Sequence, residues 1–263
     1  MSTRAAPAGK TTRKTVRATR KVRGAPAGAN LRALSAPAER QLFCSDDAFL
    51  QQDDPGYSGV PQFDWRTRGI FSPPRDQVNI NACTAMAIVG VVEALHYLKT
   101  HARITLSPGF IHTCLTKSFD RVGATPREAL CAAASHGIAY GFPGDYPYPA
   151  NHCTTGNLYT ISRRTWLAGR NSTMRVLASQ GPLVADMCID TPSFLALKPG
   201  KVYRASPTDT DLHTVVLAGF DLAKKVWIVA NSYGAQWADG GFGLVAFGSG
   251  GLVDERGAWQ IFL

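Results

Sequence analysis

The sequence predicts an α+β fold with two subdomains, because helical and extended patterns fall in different parts of the chain. A long proline-free apolar stretch and several shorter helical patterns lie in the first part of the body, at about 75–160. After Gly181 come four runs rich in β-branched and aromatic residues, separated by Gly, Asp and Lys-Lys turns. The second subdomain is therefore expected to be built of strands, at about 161–263. A cleft between two such parts is the expected place for a functional site.

The first segment, residues 1–40, is strongly basic. It holds ten of the 28 Lys and Arg residues and one acid, Glu39, so the net charge of +9 belongs to this segment and the rest of the chain is neutral. It has almost no large apolar residues, which predicts a disordered tail. Three interpretations stay open: a solvated tail, a contact with nucleic acid or another anionic surface, or a transit peptide.

Residues 41–60 carry four Asp residues and a Pro-Gly pair, and they differ from the basic tail. We interpret them as a linker, or as a short propeptide or plug lying across the cleft, ahead of a folded body at 61–263. No apolar signal follows Met1, and no apolar run reaches the about 18 residues that span a bilayer. We therefore expect a protein inside a cell or packaged in a virus particle rather than a classically secreted one, and a monomer.

Four helices are predicted in chain order. The first covers about 81–99, because the run CTAMAIVGVVEALHYLK is apolar nearly all round and so indicates a buried helix. Shorter helices are expected at 108–117 and at 126–136, where a proline begins the pattern and Gly137 follows it. A fourth is expected at 172–180, with Asn171 as its cap.

Four strands are predicted by the runs PLVADMCI, HTVVLAGF, KVWIVANS and GFGLVAFG. The Lys224-Lys225 turn joins the second and third runs, so these two strands are expected to be antiparallel neighbours. His213 begins the second run and Asn231 ends the third, and the side chains of these two residues are therefore expected to meet. Asn231 would then hold the imidazole in the tautomer and orientation that a general base needs.

A candidate nucleophile, Cys83, stands at the start of the buried helix. Free backbone N–H groups and the helix dipole stabilise a thiolate at such a position. Gln77 lies six residues earlier, after a Pro-Pro-Arg-Asp turn, where its amide and the Cys83 N–H could together stabilise an oxyanion. In isolation each residue also has an ordinary explanation, as a small buried cysteine and a solvated glutamine.

The stretches FDWRTRG, SPPRDQ, ACTAMA, DLHTVVLAGFD and WIVANSYGAQWADGGFG resemble the papain family of cysteine peptidases in order and spacing, over residues 62–263. A Cys followed by His and Asn about 130–150 residues later is a known signature of that family. The likeness is closest to short-propeptide members of bacteria, archaea and viruses. The resemblance implies a helical left subdomain, an antiparallel β-barrel-like right subdomain, and hydrolysis of polypeptides without a cofactor or metal.

Carried over by matching motif, the resemblance implies that Cys83 is the nucleophile, His213 the general base and acid, Asn231 the orienting residue and Gln77 an oxyanion donor. It also implies substrate-binding roles for residues that wall or flank the cleft: Gly123, Ala124, Thr125, Leu212, Tyr233 and Trp237. The first three would pair with the substrate backbone. Leu212 would lie near the pocket for the second side chain upstream of the cut, with an apolar preference.

Several positions depart from the family pattern. Thr84 and Tyr233 stand where tryptophans are usual, and Ile80 replaces a cysteine that forms a family disulfide. Cys114 and Cys153 fall where another family disulfide would lie, although two free thiols are the alternative in a reducing compartment. These departures bear on efficiency and substrate preference, since none removes a catalytic group.

Two other classes of function compete with the peptidase. One is a catalytically weak or inactive binding protein on the same fold, with its basic tail on nucleic acid. The other is a transglutaminase or acyltransferase, which would more usually have Asp at position 231. A structural zinc site is not expected, because His96 and His101 are too few and the sequence has no Cys-x-x-Cys pair.

Overall fold

The computed structural model describes residues 48–50, 56–118, 123–141, 153, 156–206 and 208–263, all within one compact unit. The basic tail and most of the 41–55 segment lie outside the described residues. No helix of the described part is long and apolar enough to cross a membrane.

The described helices follow one another along the chain as α1 (Cys83–Thr100), a π-helical segment (Phe110–Leu115), α2 (Pro126–His136), α3 (Arg170–Gln180) and α4 (Thr191–Leu195), with short 3-10 turns at Trp65–Arg68 and Ser249–Gly251. The buried α1 and the bounds of α2 confirm the predictions. In α2, Thr125 and Glu128 form a reciprocal capping box, which fixes where the helix begins.

Two helix predictions were wrong in detail. Gly169, at a positive φ of 78°, precedes the first residue of α3, so Asn171 lies inside the helix and is not its cap. The segment predicted as an α-helix at 108–117 is instead largely π-helical. The Thr116 N–H donates to Ile111 O, five residues back, at 2.9 Å. Apolar spacing in so short a segment does not distinguish the two helix types.

Nine of the eleven described strands form one mostly antiparallel sheet. The strands are β1 (Ala48–Leu50), β2 (Gln62–Asp64), β3 (Ile138–Ala139), β4 (Leu158–Tyr159), β5 (Arg163–Leu167), β6 (Leu183–Ile189), β7 (Val202–Tyr203), β8 (Asp211–Asp221), β9 (Val226–Ala230), β10 (Phe242–Ala246) and β11 (Ala258–Phe262). The sheet order is β1-β5-β11-β6-β8-β9-β10-β7, with β2 paired to β8, while β3 and β4 form a separate pair. The four predicted strands correspond to β6, β8, β9 and β10.

The large sheet separates two apolar cores. On one face, Val184 of β6 and Val216 of β8 pack with Ile88 of α1 and with residues of α2. On the other face, Leu183 and Leu217 pack with α3 and α4. The sheet therefore carries α1 and α2 on one face and α3 and α4 on the other, which confirms the α+β arrangement. The start of α1 and the start of β8 meet at the edge of this packing.

Candidate active site

The nucleophile candidate, Cys83, is the first residue of α1 and is partly exposed. The preceding residue, Ala82, offers no side-chain cap to the first turn. The amides of that turn therefore keep a partial positive charge close to the thiol, which favours its anion.

The thiol of Cys83 is activated by its neighbours. Burial raises its pKa, but the hydrogen bond and charge of His213, together with the backbone N–H and hydroxyl of Thr214, lower it more. The net result is a pKa lowered from 9.0 to about 7. A substantial fraction of Cys83 is therefore a thiolate near neutral pH.

His213 is held in one tautomer by Asn231. The distance from His213 Nε2 to Asn231 Oδ1 is 2.7 Å, and the Ser232 backbone N–H donates to the same oxygen at 2.8 Å. Because a backbone N–H can only donate, this Asn231 atom must be the oxygen, and His213 Nε2 must carry the hydrogen. His213 Nδ1 is then the nitrogen left for Cys83.

An aromatic shell covers the imidazole, and His213 is only 3% exposed. The ring of Tyr233 lies 5.0 Å from the imidazole at an interplanar angle of 36°, and the ring of Phe194 lies 5.5 Å away. Burial, and then the charge of Cys83, raise the pKa of the Tyr233 phenol. The Trp237 Nε1–H donates to Phe194 O at 2.8 Å, so Trp237 supports the shell through Phe194.

Gln77 is fixed at both ends of its amide. Its Nε2 donates to Ile80 O at 2.8 Å, while its Oε1 accepts from the Ser232 hydroxyl at 2.5 Å. The carbonyl of Ile80 can only accept, which settles the orientation of the amide. These two contacts use one of the two Nε2 hydrogens of Gln77, and its role as an oxyanion donor stays a prediction.

The loop that contains Gly123, Ala124 and Thr125 stands against the start of α1. Ala124 O accepts from the Thr84 hydroxyl at 2.7 Å, and that hydroxyl also lies 2.8 Å from Thr214 Oγ1. Gly123 passes so close to the Asn81 backbone that a Cβ would lie 3.0 Å from its oxygen. Thr84, at the place of a usual tryptophan, thus joins this loop to β8.

Leu212 precedes His213 in β8 and is 38% exposed. Its cross-strand partner is Cys188 of β6. Its role in a substrate pocket stays a prediction.

Sequence reasoning missed three residues that shape this site: Ser232, Thr214 and Phe194. Ser232 follows Asn231 in the sequence, and Thr214 follows His213. Their position next to two predicted catalytic residues could have indicated that they belong to the site. Phe194 lies in α4, distant in sequence, and nothing in its local pattern indicates contact with the imidazole.

One disulfide is formed where the resemblance to the papain family implied one. Cys114 and Cys153 are bonded, with their Cα atoms 5.6 Å apart. Cys131 is also disulfide-bonded, whereas Cys83 and Cys188 are free thiols. Within the described ranges, no group of three His, Cys, Asp or Glu side chains could hold a metal ion.

The fold and this constellation define the class of protein, and comparison with known families agrees. A model of the family described as papain family cysteine protease matches residues 60–254. The chain therefore belongs to the papain family.

Individual relatives are distant. Ananain of Ananas comosus is 28% identical over 200 residues, which is 72% of this chain and 57% of that protein. Cathepsin O of Homo sapiens is 25% identical over 214 residues, 76% of this chain and 66% of the relative. The chain thus spans less than two thirds of these relatives. The predicted nearer likeness to bacterial, archaeal and viral members stays a prediction.

A solved structure shares the fold. The Carica candamarcensis cysteine protease CMS1MS2, crystallised in complex with E-64, has a TM-score of 0.65 at 21% identity. The match covers 78% of this chain and 99% of that one.

Proposed function

We propose that this protein is a cysteine endopeptidase that hydrolyses peptide bonds through an acyl-enzyme on Cys83. One observation carries the proposal: His213 lies between Cys83 and Asn231, with its Nε2–H donated to Asn231 Oδ1 at 2.7 Å. A buried histidine held in this way can keep Cys83 anionic and then move a proton to and from the reacting groups.

Acylation begins when the Cys83 thiolate attacks the carbonyl carbon of an extended polypeptide. The oxygen gains negative charge and is held by the Gln77 Nε2–H and the Cys83 N–H. The His213 imidazolium gives its proton to the leaving nitrogen as the C–N bond breaks, and a thioester remains.

Deacylation reverses these roles. His213, now neutral, takes a proton from water as the water oxygen attacks the thioester carbonyl. The C–S bond then breaks, the carboxylic acid product leaves, and the thiolate and imidazolium are restored.

The test is alkylation of the protein with iodoacetamide across pH, with the adducts located by mass spectrometry. Cys188 is a free thiol in the same molecule and serves as the internal control. Cys83 is expected to be labelled selectively with a midpoint near pH 7, two units below an ordinary thiol of pKa 9.0. The variant Cys83→Ala is expected to lose peptide hydrolysis.

Two outcomes would overturn the proposal. Hydrolysis that persists in Cys83→Ala would exclude this mechanism. If Cys83 reacted no faster than Cys188, also in a chain that lacks residues 1–60, an inactive binding protein on the papain fold would replace the peptidase.

The basic tail is proposed separately to contact nucleic acid or another anionic surface. Its ten bases motivate this, and counterion release would make the contact weaken steeply with salt. Retention on DNA is therefore expected to fall when residues 1–40 are removed. Equal, salt-insensitive retention of both proteins would exclude the contact.

A further inference from the structure

Cys131, in the middle of α2, is disulfide-bonded and only 4% exposed. The chain has six cysteines. Four of the other five are accounted for, as one disulfide and two free thiols: Cys114 with Cys153, and Cys83 and Cys188. Within the chain, the one cysteine left as a partner for Cys131 is Cys44, which lies outside the described residues.

The strand β1 brings the chain that follows Cys44 close to α2. It pairs in parallel with β5, beginning at Ala48. The helix α2 packs against the same strand, and Trp166 of β5 packs against the apolar core that contains Leu130. Cys44 is four residues before Ala48, and four residues of extended chain reach about 14 Å. Elements packed face to face lie about 10 Å apart, so this length suffices to bring Cys44 to α2.

The same strand lies far from the catalytic histidine along the sheet. β1 is the outer strand, and β5, β11 and β6 separate it from β8, which carries His213. Neighbouring strands are about 4.8 Å apart, so β1 and β8 are about 19 Å apart measured along the sheet. Residues 48–50 therefore lie along an edge of the sheet and not beside His213.

We propose that a disulfide between Cys44 and Cys131 fastens the N-terminal segment, residues 1–47, to α2. The bond forms when the two thiols give two protons and two electrons to a small disulfide oxidant such as oxidised glutathione, which leaves as two thiols. A cut between β1 and β2 then releases the basic tail only if a thiol reductant also breaks this disulfide. The proposal does not depend on peptide hydrolysis by Cys83.

Disulfide mapping tests the pairing directly. The protein is equilibrated with oxidised and reduced glutathione, unfolded, blocked with iodoacetamide and digested without reduction. Trypsin leaves Cys131 and Cys153 on one peptide, residues 128–163, so chymotrypsin is added to cut between them after Tyr140. The expected product is a peptide containing Cys44 linked to one containing Cys131. A labelled Cys131, or Cys131 linked to any other cysteine, overturns the proposal.

Two variants and a control identify the partner independently. In Cys44→Ser the label is expected to appear on Cys131, and in Cys131→Ser it is expected on Cys44. Cys188→Ser is the matched control, because it removes a thiol that is already free and should leave the pairing unchanged. Replacement of the buried Cys131 can impair folding, so circular dichroism is recorded for each variant. If Cys131 stays unlabelled in folded Cys44→Ser protein, another residue holds it and the proposal fails.

Acid cleavage tests the consequence for the basic tail. Asp54-Pro55 is the one Asp-Pro bond of the chain, and dilute formic acid cleaves such bonds while disulfides stay intact. The cut chain is expected to run as one species of 28.3 kDa without reductant, and to separate into residues 1–54 and 55–263 with dithiothreitol. Cys44→Ser is expected to separate without reductant.

Separation of the cut wild-type chain without reductant overturns the proposal. The reduced sample shows how much of the chain the acid has cut. The same results are expected in Cys83→Ala protein, so a failure of the proposed peptidase function would leave them unchanged.

Discussion

The Ser232 hydroxyl donates to Gln77 Oε1 at 2.5 Å and so fixes the orientation of that side-chain amide. Through its backbone N–H, the same serine also donates to Asn231 Oδ1 at 2.8 Å. One residue therefore orients both Gln77, the proposed oxyanion donor, and Asn231, which holds the imidazole. We therefore expect Ser232 to act as a positioning residue.

Removal of that hydroxyl should impair catalysis modestly. In Ser232→Ala the Gln77 amide keeps its bond to Ile80 but loses the contact at Oε1, so kcat should fall about 3- to 10-fold with KM little changed. Loss of the donor itself in Gln77→Ala should cost more, about 100-fold. Steady-state kinetics of both variants and of the double variant check this. If the free-energy losses of the two single variants simply added in the double variant, Ser232 would not act through Gln77.

The low pKa of Cys83 should depend on His213. Wild-type alkylation should be half-maximal near pH 7 and should slow as pH falls below that value, because the thiolate is lost. In His213→Ala the effect of burial, which raises the pKa, is opposed by Thr214 alone. The midpoint should therefore move upward toward 9. Thr214→Val, which keeps the backbone N–H, should shift the midpoint less. An unchanged midpoint in His213→Ala would show that another group sets the thiol pKa.

The hydroxyl of Thr84 should matter more than its size. Thr84→Val keeps the shape but leaves Ala124 O and Thr214 Oγ1 without their shared partner, in a place that is only 3% exposed. The free energy of unfolding should fall by about 1–3 kcal/mol. Thr84→Ser restores the hydroxyl and should recover most of it. Urea denaturation of the wild-type protein and the two variants measures the free energy of unfolding. If the Thr84→Val and Thr84→Ser variants were equally stable, the hydrogen bonds of the Thr84 hydroxyl would not contribute to stability.

The buried Glu93 of α1 should be needed for stability. Its carboxylate accepts two bonds from Arg75, at 2.7 and 3.0 Å, and one from the Leu106 N–H at 2.8 Å. Glu93→Gln should cost about 2 kcal/mol or more, less than the 3–5 for a fully buried pair because Arg75 is 25% exposed. Thermal unfolding checks this. Glu128→Gln, at a helix cap, is the control and should cost less.

The sequence allowed the ordered motifs around Gln77, Cys83, His213 and Asn231 to be recognised, because each lies in a short local pattern. The bounds of α2 were predictable for the same reason, since proline and glycine mark both ends. Contacts made through space were not predictable. Phe194 reaches the imidazole only because α4 folds back, and Asp186 meets Thr214 only through the register of two strands. That Gly169 rather than Asn171 precedes α3 depends on a backbone angle that composition does not reveal.

The protein holds both a free thiol at Cys83 and a disulfide between Cys114 and Cys153, and the two respond in opposite ways to the redox potential of the solution. Peptide hydrolysis as proposed needs Cys83 as a free thiolate, while Cys114 and Cys153 are joined across 39 residues of chain. A closed loop of that length stabilises a fold by about 4 kcal/mol in the chain-entropy account. A solution reducing enough to break the Cys114–Cys153 disulfide is expected to lower the stability of the fold. A solution oxidising enough to modify the Cys83 thiol is expected to abolish the proposed hydrolysis. The proposed hydrolysis is therefore expected to be fastest within a limited range of thiol–disulfide potential, so reductant concentration should affect both the stability and the activity of the protein.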